Sequence, residues 1–232
     1  TCGMEGRGVK ITLMMPAYNE EKDLPGLLER IERALADWAD YRVLVVDDGS
    51  SDRTAALVCE MASRIPVELI QHPRNLGLGA AMRTGLKAAA SGSGFVVTMD
   101  ADNSQGPELI RAMVTRIEQG FDVVIASRFQ PGSQEIGVPP YRKFLSHLSS
   151  AGIRLLVRYP GARDYTCGFR LYRVETLRRL IDMFGDDFLR ENGFSCMLEL
   201  LINLREVDAQ VAEVPLVLRY DLKEGPSKMR VL

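Results

Sequence analysis

No apolar run in this chain of 232 residues approaches the roughly 20 positions that a membrane-spanning helix needs. No apolar core of a secretory signal opens it. The four cysteines, Cys2, Cys59, Cys167 and Cys196, form no CxxC pair. That excludes a zinc module and a disulfide framework and fits a reducing compartment. The two histidines, His72 and His147, lie far apart without a second ligand at zinc spacing, so His72 reads as a strand end rather than a catalyst. Neither sign of charge dominates: 29 basic against 31 acidic residues leave a net charge of −2. A nucleic-acid binder driven by bulk charge is thereby excluded. Neither GxGxxG after the first strand nor GxxxxGK[ST] occurs, which argues against a dinucleotide fold and a P-loop NTPase.

What is present is an alternation of apolar strands and amphipathic helices. Val9 to Met15, Arg42 to Val46, Val67 to Gln71, Phe95 to Met99 and Asp122 to Ala126 read as strands. Between them, Leu24, Leu27, Leu28, Ile31 and Leu35 recur at helical spacing, Asp52 starts a second helix, an Ala-rich helix runs to about Ala90, and another spans Pro107 to Gln119. That order is the βαβ pattern of an α/β protein with a mostly parallel sheet and helices on both faces. After Ser127, the Gly- and Pro-rich stretch Gln130 to Pro140 reads as a loop and Tyr141 to Val157 as a helix. Strands near Gly168 to Tyr172 and Ala209 to Leu218 flank helices over Val174 to Met183 and Phe194 to Val207. Residues 1–8 read as a leader and residues 9–232 as one domain, with a nucleotide half up to 127 and an acceptor half from 128.

Three strands end in acidic turns: Glu20 after the first, Asp47 and Asp48 after the second, Asp100 and Asp102 after the fourth. Open α/β sheets bind ligands at the carboxyl ends of their strands. Mg²⁺ is commonly held by one or two carboxylates together with substrate phosphates. Three such turns on one edge therefore point to a cleft for a metal-bound nucleoside diphosphate. Tyr18 either flanks a base there or is an ordinary half-buried tyrosine. Gly77-Leu78-Gly79 at a helix start favours a tight turn over an anion site. In Tyr141 to Arg158, Phe144, Leu145, Leu148, Leu155 and Leu156 share a face beside a stripe of Lys143, His147, Arg154 and Arg158. That is either a membrane-surface helix or a solvated core helix.

Pro16-Ala17-Tyr18-Asn19-Glu20, Val46-Asp47-Asp48-Gly49-Ser50-Ser51-Asp52, Asn75-Leu76-Gly77-Leu78-Gly79 and Met99-Asp100-Ala101-Asp102 together resemble the family 2 inverting glycosyltransferases of the GT-A, Rossmann-like fold. Ala126-Ser127-Arg128-Phe129, Gly168-Phe169-Arg170-Leu171-Tyr172, Gly193-Phe194 through Glu199, Glu213-Val214-Pro215 and Gly225-Pro226-Ser227-Lys228 resemble the dolichol-phosphate mannosyltransferase branch. The resemblance implies a nucleotide-sugar donor (GDP-mannose first, a UDP-sugar as the alternative), Mg²⁺ or Mn²⁺, and a polyprenyl-phosphate acceptor met at the cytosolic face of a membrane. It implies that Pro16, Ala17, Tyr18, Glu20, Val46 and Asp48 hold the nucleoside, and that Asp100, Ala101 and Asp102 meet the diphosphate and metal. Ser104 and Gln105 stand where the family places a further metal ligand. Arg128, Arg142 and Glu199 would serve the acceptor, with Asp100, Asp102 and Arg128 catalytic. Lys228 matches a phosphate-binding lysine. The family's arginine six residues earlier is Leu222 here, leaving Arg219 or Lys223 as the cation for the diphosphate. Asp164 is the fallback base if the acceptor is a hydroxyl. A sugar-phosphate nucleotidylyltransferase is disfavoured, because Pro16 to Glu20 replaces its Gly-rich basic loop.

Overall fold

The structure is a computed structural model that describes residues 8–141, 143, 150, 152–154 and 157–225. Among these, seven strands form one sheet in the order β3-β2-β1-β4-β7-β5-β8. Its parallel left side consists of β1 (Val9–Ala17), β2 (Ala39–Asp47), β3 (Val67–Gln71) and β4 (Phe95–Thr98). β1 lies between β2 and β4, and its Leu13, Met14 and Met15 are fully buried. Continuous rather than alternating burial is what a parallel strand covered on both faces requires.

Helix α1 (Leu24–Leu35) buries Leu24, Leu27, Leu28, Ile31 and Leu35, as their spacing predicts. Helix α2 spans Thr54–Met61, and helix α3 spans Leu78–Ala90. α3 carries small residues towards the sheet; a Cβ on Gly85 would stand 2.5 Å from the side chain of Met14. The predicted helix at Pro107 opens as a 3₁₀ turn, Pro107–Leu109, and continues as α4 (Ile110–Ile117).

The right side departs from a simple alternation. β5 (Val123–Ser127) pairs in parallel with β8 (Val211–Pro215), but β7 (Arg170–Arg173) lies between β4 and β5 and runs antiparallel to both. Its entry, Gly168-Phe169, is thereby carried to the carboxyl end of β4. Thr98 Oγ1 donates to the Gly168 carbonyl at 2.6 Å, and Ala126 N–H donates to the Phe169 carbonyl at 3.0 Å. Helices α5 (Val174–Phe184) and α6 (Cys196–Glu206) follow.

The expected loop from Gln130 to Pro140 contains a strand, β6 (Gln134–Ile136), paired in parallel with β9 (Val217–Arg219). β9 delivers the chain to the sheet's carboxyl edge, where Arg219 N–H donates to the Ser104 carbonyl at 2.8 Å. The predicted helix from Tyr141 falls largely outside the described residues, as do Arg142, His147, Lys228 and the leader up to residue 7; its described positions 152–154 are helical.

Candidate functional site

The first two acidic turns are zipped into one wall. Asn19 N–H donates to Ser50 Oγ (2.8 Å), Ser51 N–H to Asn19 Oδ1 (2.8 Å), Glu20 N–H to Thr54 Oγ1 (2.8 Å) and Arg53 N–H to Glu21 Oε2 (3.0 Å). Side chains thus satisfy backbone donors that the turns leave without a sheet partner. Asp52 lies one position before the N-cap of α2, which is Arg53, and accepts from Thr54 N–H at 2.9 Å.

The Asp47-Asp48 pair divides its work. Asp47, fully buried, accepts from Ser50 N–H and Gln71 Nε2. Asp48 Oδ1 meets His72 Nδ1 (2.7 Å) and Leu76 N–H (3.0 Å), and its Oδ2 accepts from Gly77 N–H (2.8 Å). A carboxylate has about four acceptor positions, so Asp48 shapes the 75–77 segment and retains one position. The tight turn favoured for Gly77-Leu78-Gly79 does not form: Gly77, with φ 98°, is the N-cap of α3, and Leu78 and Gly79 are its first helical residues. Glu199 accepts from the N–H groups of Arg190 (3.0 Å) and Glu191 (2.8 Å). It thereby holds the 190–192 loop against the start of α3, where Gly79 N–H donates to the Asn192 carbonyl at 2.9 Å. His72 ends its strand and bridges Asp48 to Thr84 Oγ1, 3.0 Å away. A cavity of about 310 Å³ lined by Gly49, Ser50, Gln71, His72 and Pro73 opens beside this wall.

The β4 tip carries the densest charge. Gln105 Nε2 donates to Asp100 Oδ2 at 2.7 Å while its Oε1 accepts Asp100 N–H at 2.9 Å. Ser104, through its N–H and Oγ, donates to Asp102 Oδ1. The two polar residues after the acidic triplet therefore orient its carboxylates. Arg30 of α1 fixes the same turn through Asn103 Oδ1 (2.7 Å), where Asn103 has φ 57°. Burial, then the neighbouring charge of Asp102, pushes the Asp100 carboxyl up to about 7; Lys223 and Arg128 work in the other direction and Glu20 adds to the rise. Asp102 Oδ2 accepts from Lys223 Nζ at 2.6 Å. Burial opposes the Lys223 charge, but Asp102 outweighs it and holds the ammonium above its usual range. Arg219 instead pairs with Asp221 (2.7 Å) on the surface. Of the two cations left open by the sequence, Lys223 reaches the acidic triplet.

Arg128, just past the end of β5, lies close enough to act on the Asp100 carboxyl. Its Nε and Nη2 donate to the two oxygens of Asp164 at 2.8 and 2.7 Å, and Nη2 also donates to Thr166 Oγ1. Burial raises the Asp164 carboxyl, but the Arg128 guanidinium prevails and holds it below the usual carboxylate range. Asp164 is thus the anchor of Arg128 and a poor base. Glu213 in turn accepts Asp164 N–H at 2.7 Å. Of the basic stripe, His147 lies outside the described residues; Lys143 Nζ donates to the Glu135 carbonyl, and Arg154 lies 4.5 Å over the Phe129 ring. Pro16, Ala17 and Val46 occupy the β1 and β2 tips in register, Pro16 beside Val46 and Ala17 beside Asp47. Ala101 is buried, and Tyr18 is half-buried.

Sequence reasoning missed Asp23. It occupies the N-cap position of α1, but its carboxylate makes no cap bond. It accepts Glu224 N–H (2.8 Å) and Gly225 N–H (2.9 Å), partners about 200 positions away that no local signal reveals.

Among the described residues, no group of three or more His, Cys, Asp or Glu side chains is placed to hold a metal. Two carboxylates at a strand tip suit a hard cation that a diphosphate helps to ligate, so Asp100 and Asp102 fit that role. No helix among the described residues is long and apolar enough to cross a membrane.

The Glycosyl transferase family 2 model matches residues 12–181. Dolichol-phosphate mannosyltransferase of Pyrococcus furiosus is 34% identical over 223 residues, covering 96% of this chain and 60% of that protein. This chain thus spans less than two thirds of that relative's length. Polyprenol monophosphomannose synthase of Mycolicibacterium smegmatis is 33% identical, with 94% and 80% covered. Undecaprenyl-phosphate mannosyltransferase of Micrococcus luteus is 31% identical, with 95% and 88% covered. Among solved structures, glucosyl-3-phosphoglycerate synthase from Mycobacterium tuberculosis, in complex with Mn²⁺, UDP-glucose and phosphoglyceric acid, superposes with a TM-score of 0.67 at 21% identity over 95% of this chain and 74% of that one. With the sheet order, the acidic strand tips and these relatives in agreement, the chain belongs to glycosyl transferase family 2 and has its GT-A fold.

Proposed function

We propose that this chain transfers a hexose, mannose from GDP-mannose first, onto the phosphate of a polyprenyl lipid at the cytosolic membrane surface. The observation that carries the reading is the cluster of Asp100, Asp102, Glu20 and Lys223 at the β1 and β4 tips, with Arg128 close enough to act on Asp100. The names of the three curated relatives, all polyprenyl-phosphate mannosyltransferases or synthases, support the acceptor class.

Pro16 to Tyr18, Val46 and the remaining acceptor position of Asp48 line the nucleoside wall. Asp100 and Asp102 would hold Mg²⁺ or Mn²⁺, which neutralises charge developing on the departing diphosphate. Lys223 and, by resemblance, Lys228 add fixed positive charge to that side. Arg128, its guanidinium locked by Asp164, presents charge to the acceptor phosphate; Arg142 joins it by resemblance. A phosphate oxygen of the acceptor attacks the anomeric carbon as that carbon's bond to the diphosphate oxygen breaks. The acceptor is already anionic near neutral pH, so no general base is required. Glu199 serves indirectly, by fixing the 190–192 loop.

The test is transfer of labelled sugar from GDP-mannose, UDP-glucose and UDP-N-acetylglucosamine to undecaprenyl and dolichyl phosphate, scored as butanol-soluble label. Mannolipid formed only with a divalent cation is the expected result. No lipid product from any donor, with pyrophosphate released from sugar phosphate and nucleoside triphosphate, would overturn the reading in favour of a nucleotidylyltransferase.

A further inference from the structure

The strap Tyr220–Gly225 crosses the acidic tips and is tied down at both ends. At one end Arg219 N–H donates to the Ser104 carbonyl. At the other, Asp23 accepts Glu224 N–H and Gly225 N–H, and the strap lies so close that a Cβ on Gly225 would stand 2.8 Å from Asp23 Oδ2 and 3.7 Å from Glu20 Oε2. Asp23 is 2% exposed, and each of its carboxylate oxygens accepts one strap N–H, Oδ1 from Glu224 and Oδ2 from Gly225. Between the two ties, Lys223 places its ammonium on Asp102 Oδ2, with only 7% of the lysine side chain and 14% of the aspartate side chain exposed. Ser104 already holds the other oxygen.

Both oxygens of Asp102 are therefore engaged. A divalent cation sits about 2.0–2.6 Å from a carboxylate oxygen, and an ammonium 2.6 Å from the same oxygen cannot share it without close like-charge repulsion. We propose that Lys223 and the divalent cation compete for Asp102, with Asp23 as the latch that holds Lys223 there. This inference rests on the proposed metal-dependent transfer. It makes Asp23 a positioning residue that acts through Lys223. A nucleoside diphosphate relieves the competition, because its phosphates give the ammonium a second anion when it leaves Asp102. Metal and nucleotide consequently bind with positive coupling, and the coupling is reciprocal.

The test is Mn²⁺ binding to the full chain, read by electron paramagnetic resonance with and without GDP or UDP, without substrate turnover. In the wild type, Mn²⁺ alone binds weakly and either the GDP or the UDP series tightens it. In Lys223→Gln, Mn²⁺ alone binds on the order of tenfold tighter than in the wild type, the ratio expected for about 1.4 kcal/mol of lost competition, and the gain from nucleotide shrinks. Asp23→Asn shifts bare Mn²⁺ affinity in the same direction. Gly225→Ala, whose added methyl pushes the strap off Asp23 from the surface, repeats the effect without touching the core. In the double variant Asp23→Asn, Lys223→Gln the two effects do not add.

Unchanged or weaker Mn²⁺ affinity in Lys223→Gln overturns the competition. A shift in Lys223→Gln with none in Asp23→Asn or Gly225→Ala overturns the latch. No Mn²⁺ binding by any protein, even with nucleotide, overturns the inference together with the metal-dependent reading beneath it. Nucleotide-dependent binding that ignores residue 223 overturns the inference alone.

Discussion

Replacing Asp164 by asparagine separates an anchor from a catalyst. Asp164 is fully buried and accepts from Nε and Nη2 of a guanidinium whose side chain is 17% exposed. It also accepts the backbone N–H of Arg128 (3.1 Å) and of Cys167 (3.0 Å). Removing one partner of a buried ion pair costs about 3–5 kcal/mol, because the remaining charge stays desolvated. Arg128 keeps some contact with water, which places the expected loss near the lower limit, about 3 kcal/mol. For a chain of this size each kcal/mol moves Tm by about 2–4 °C, so a fall of roughly 6–12 °C is expected by calorimetry, with a matching shift in urea midpoint. The pH dependence has a defined sign. Asp164 has a depressed folded pKa, so its contribution is present above the ordinary carboxylate pKa of about 4 and is lost as pH falls through the lower folded value. The wild-type advantage over Asp164→Asn should hold from about pH 5 to 8 and vanish in strong acid. Turnover should fall together with stability, as Arg128 loses its fixed direction. A variant with wild-type Tm but turnover reduced by about 10³-fold or more, and without the acidic limb of its pH profile, would refute the anchor and make Asp164 the base.

Other perturbations test other parts of the site. Asp102→Ala should cut turnover by on the order of 10²–10³-fold, as loss of a key electrostatic stabiliser does; wild-type-like transfer would remove its assigned role. Because the Asp100 carboxyl lies near 7, Mn²⁺ binding with nucleotide at pH 6 should release close to one proton, measured by calorimetry in buffers of different ionisation heat. The same group makes the metal-free fold lose stability as pH rises from about 4 to 7, since the folded state then holds the extra proton. Gly79→Ala should lower stability by about 2–3 kcal/mol in urea unfolding, because its Cβ would stand 1.7 Å from the Glu191 carbonyl oxygen. Peptide mapping after brief alkylation at pH 7.5 should show Cys59 labelled and Cys167 and Cys196 protected, since burial pushes both of those thiols up to about 12; fast labelling of Cys167 would contradict its enclosure.

The left half of the sheet was legible because its signals are local. The α1 stripe from Leu24 to Leu35, the apolar runs of β1 and β2 and the acidic residues behind them are periodic or contiguous, and each reports the environment of its own segment. The right half was harder. β7 is only four residues long, and nothing in Arg170 to Arg173 states that it pairs antiparallel between β4 and β5. β6 was hidden in a Gly- and Pro-rich stretch because its three residues, Gln134 to Ile136, acquire their strand character from β9, more than 80 positions later. Spacing put Lys143 and Arg154 on one basic stripe but could not name their partners, the Glu135 carbonyl and the Phe129 ring, which lie outside that helix.

The sequence by itself determined the α/β alternation, the acidic tip at Asp100 to Asp102, and the family to which the chain belongs. Only the tertiary structure decided which donor meets which carboxylate: Lys223 rather than Arg219 on Asp102, Arg128 on Asp164, and the backbone N–H groups of Glu224 and Gly225 on Asp23. Hydrophobic periodicity is a property of neighbouring residues and can be read along the chain. A buried charge takes its partner from whichever distant segment the fold brings within about 3 Å, and that choice leaves no trace in local spacing.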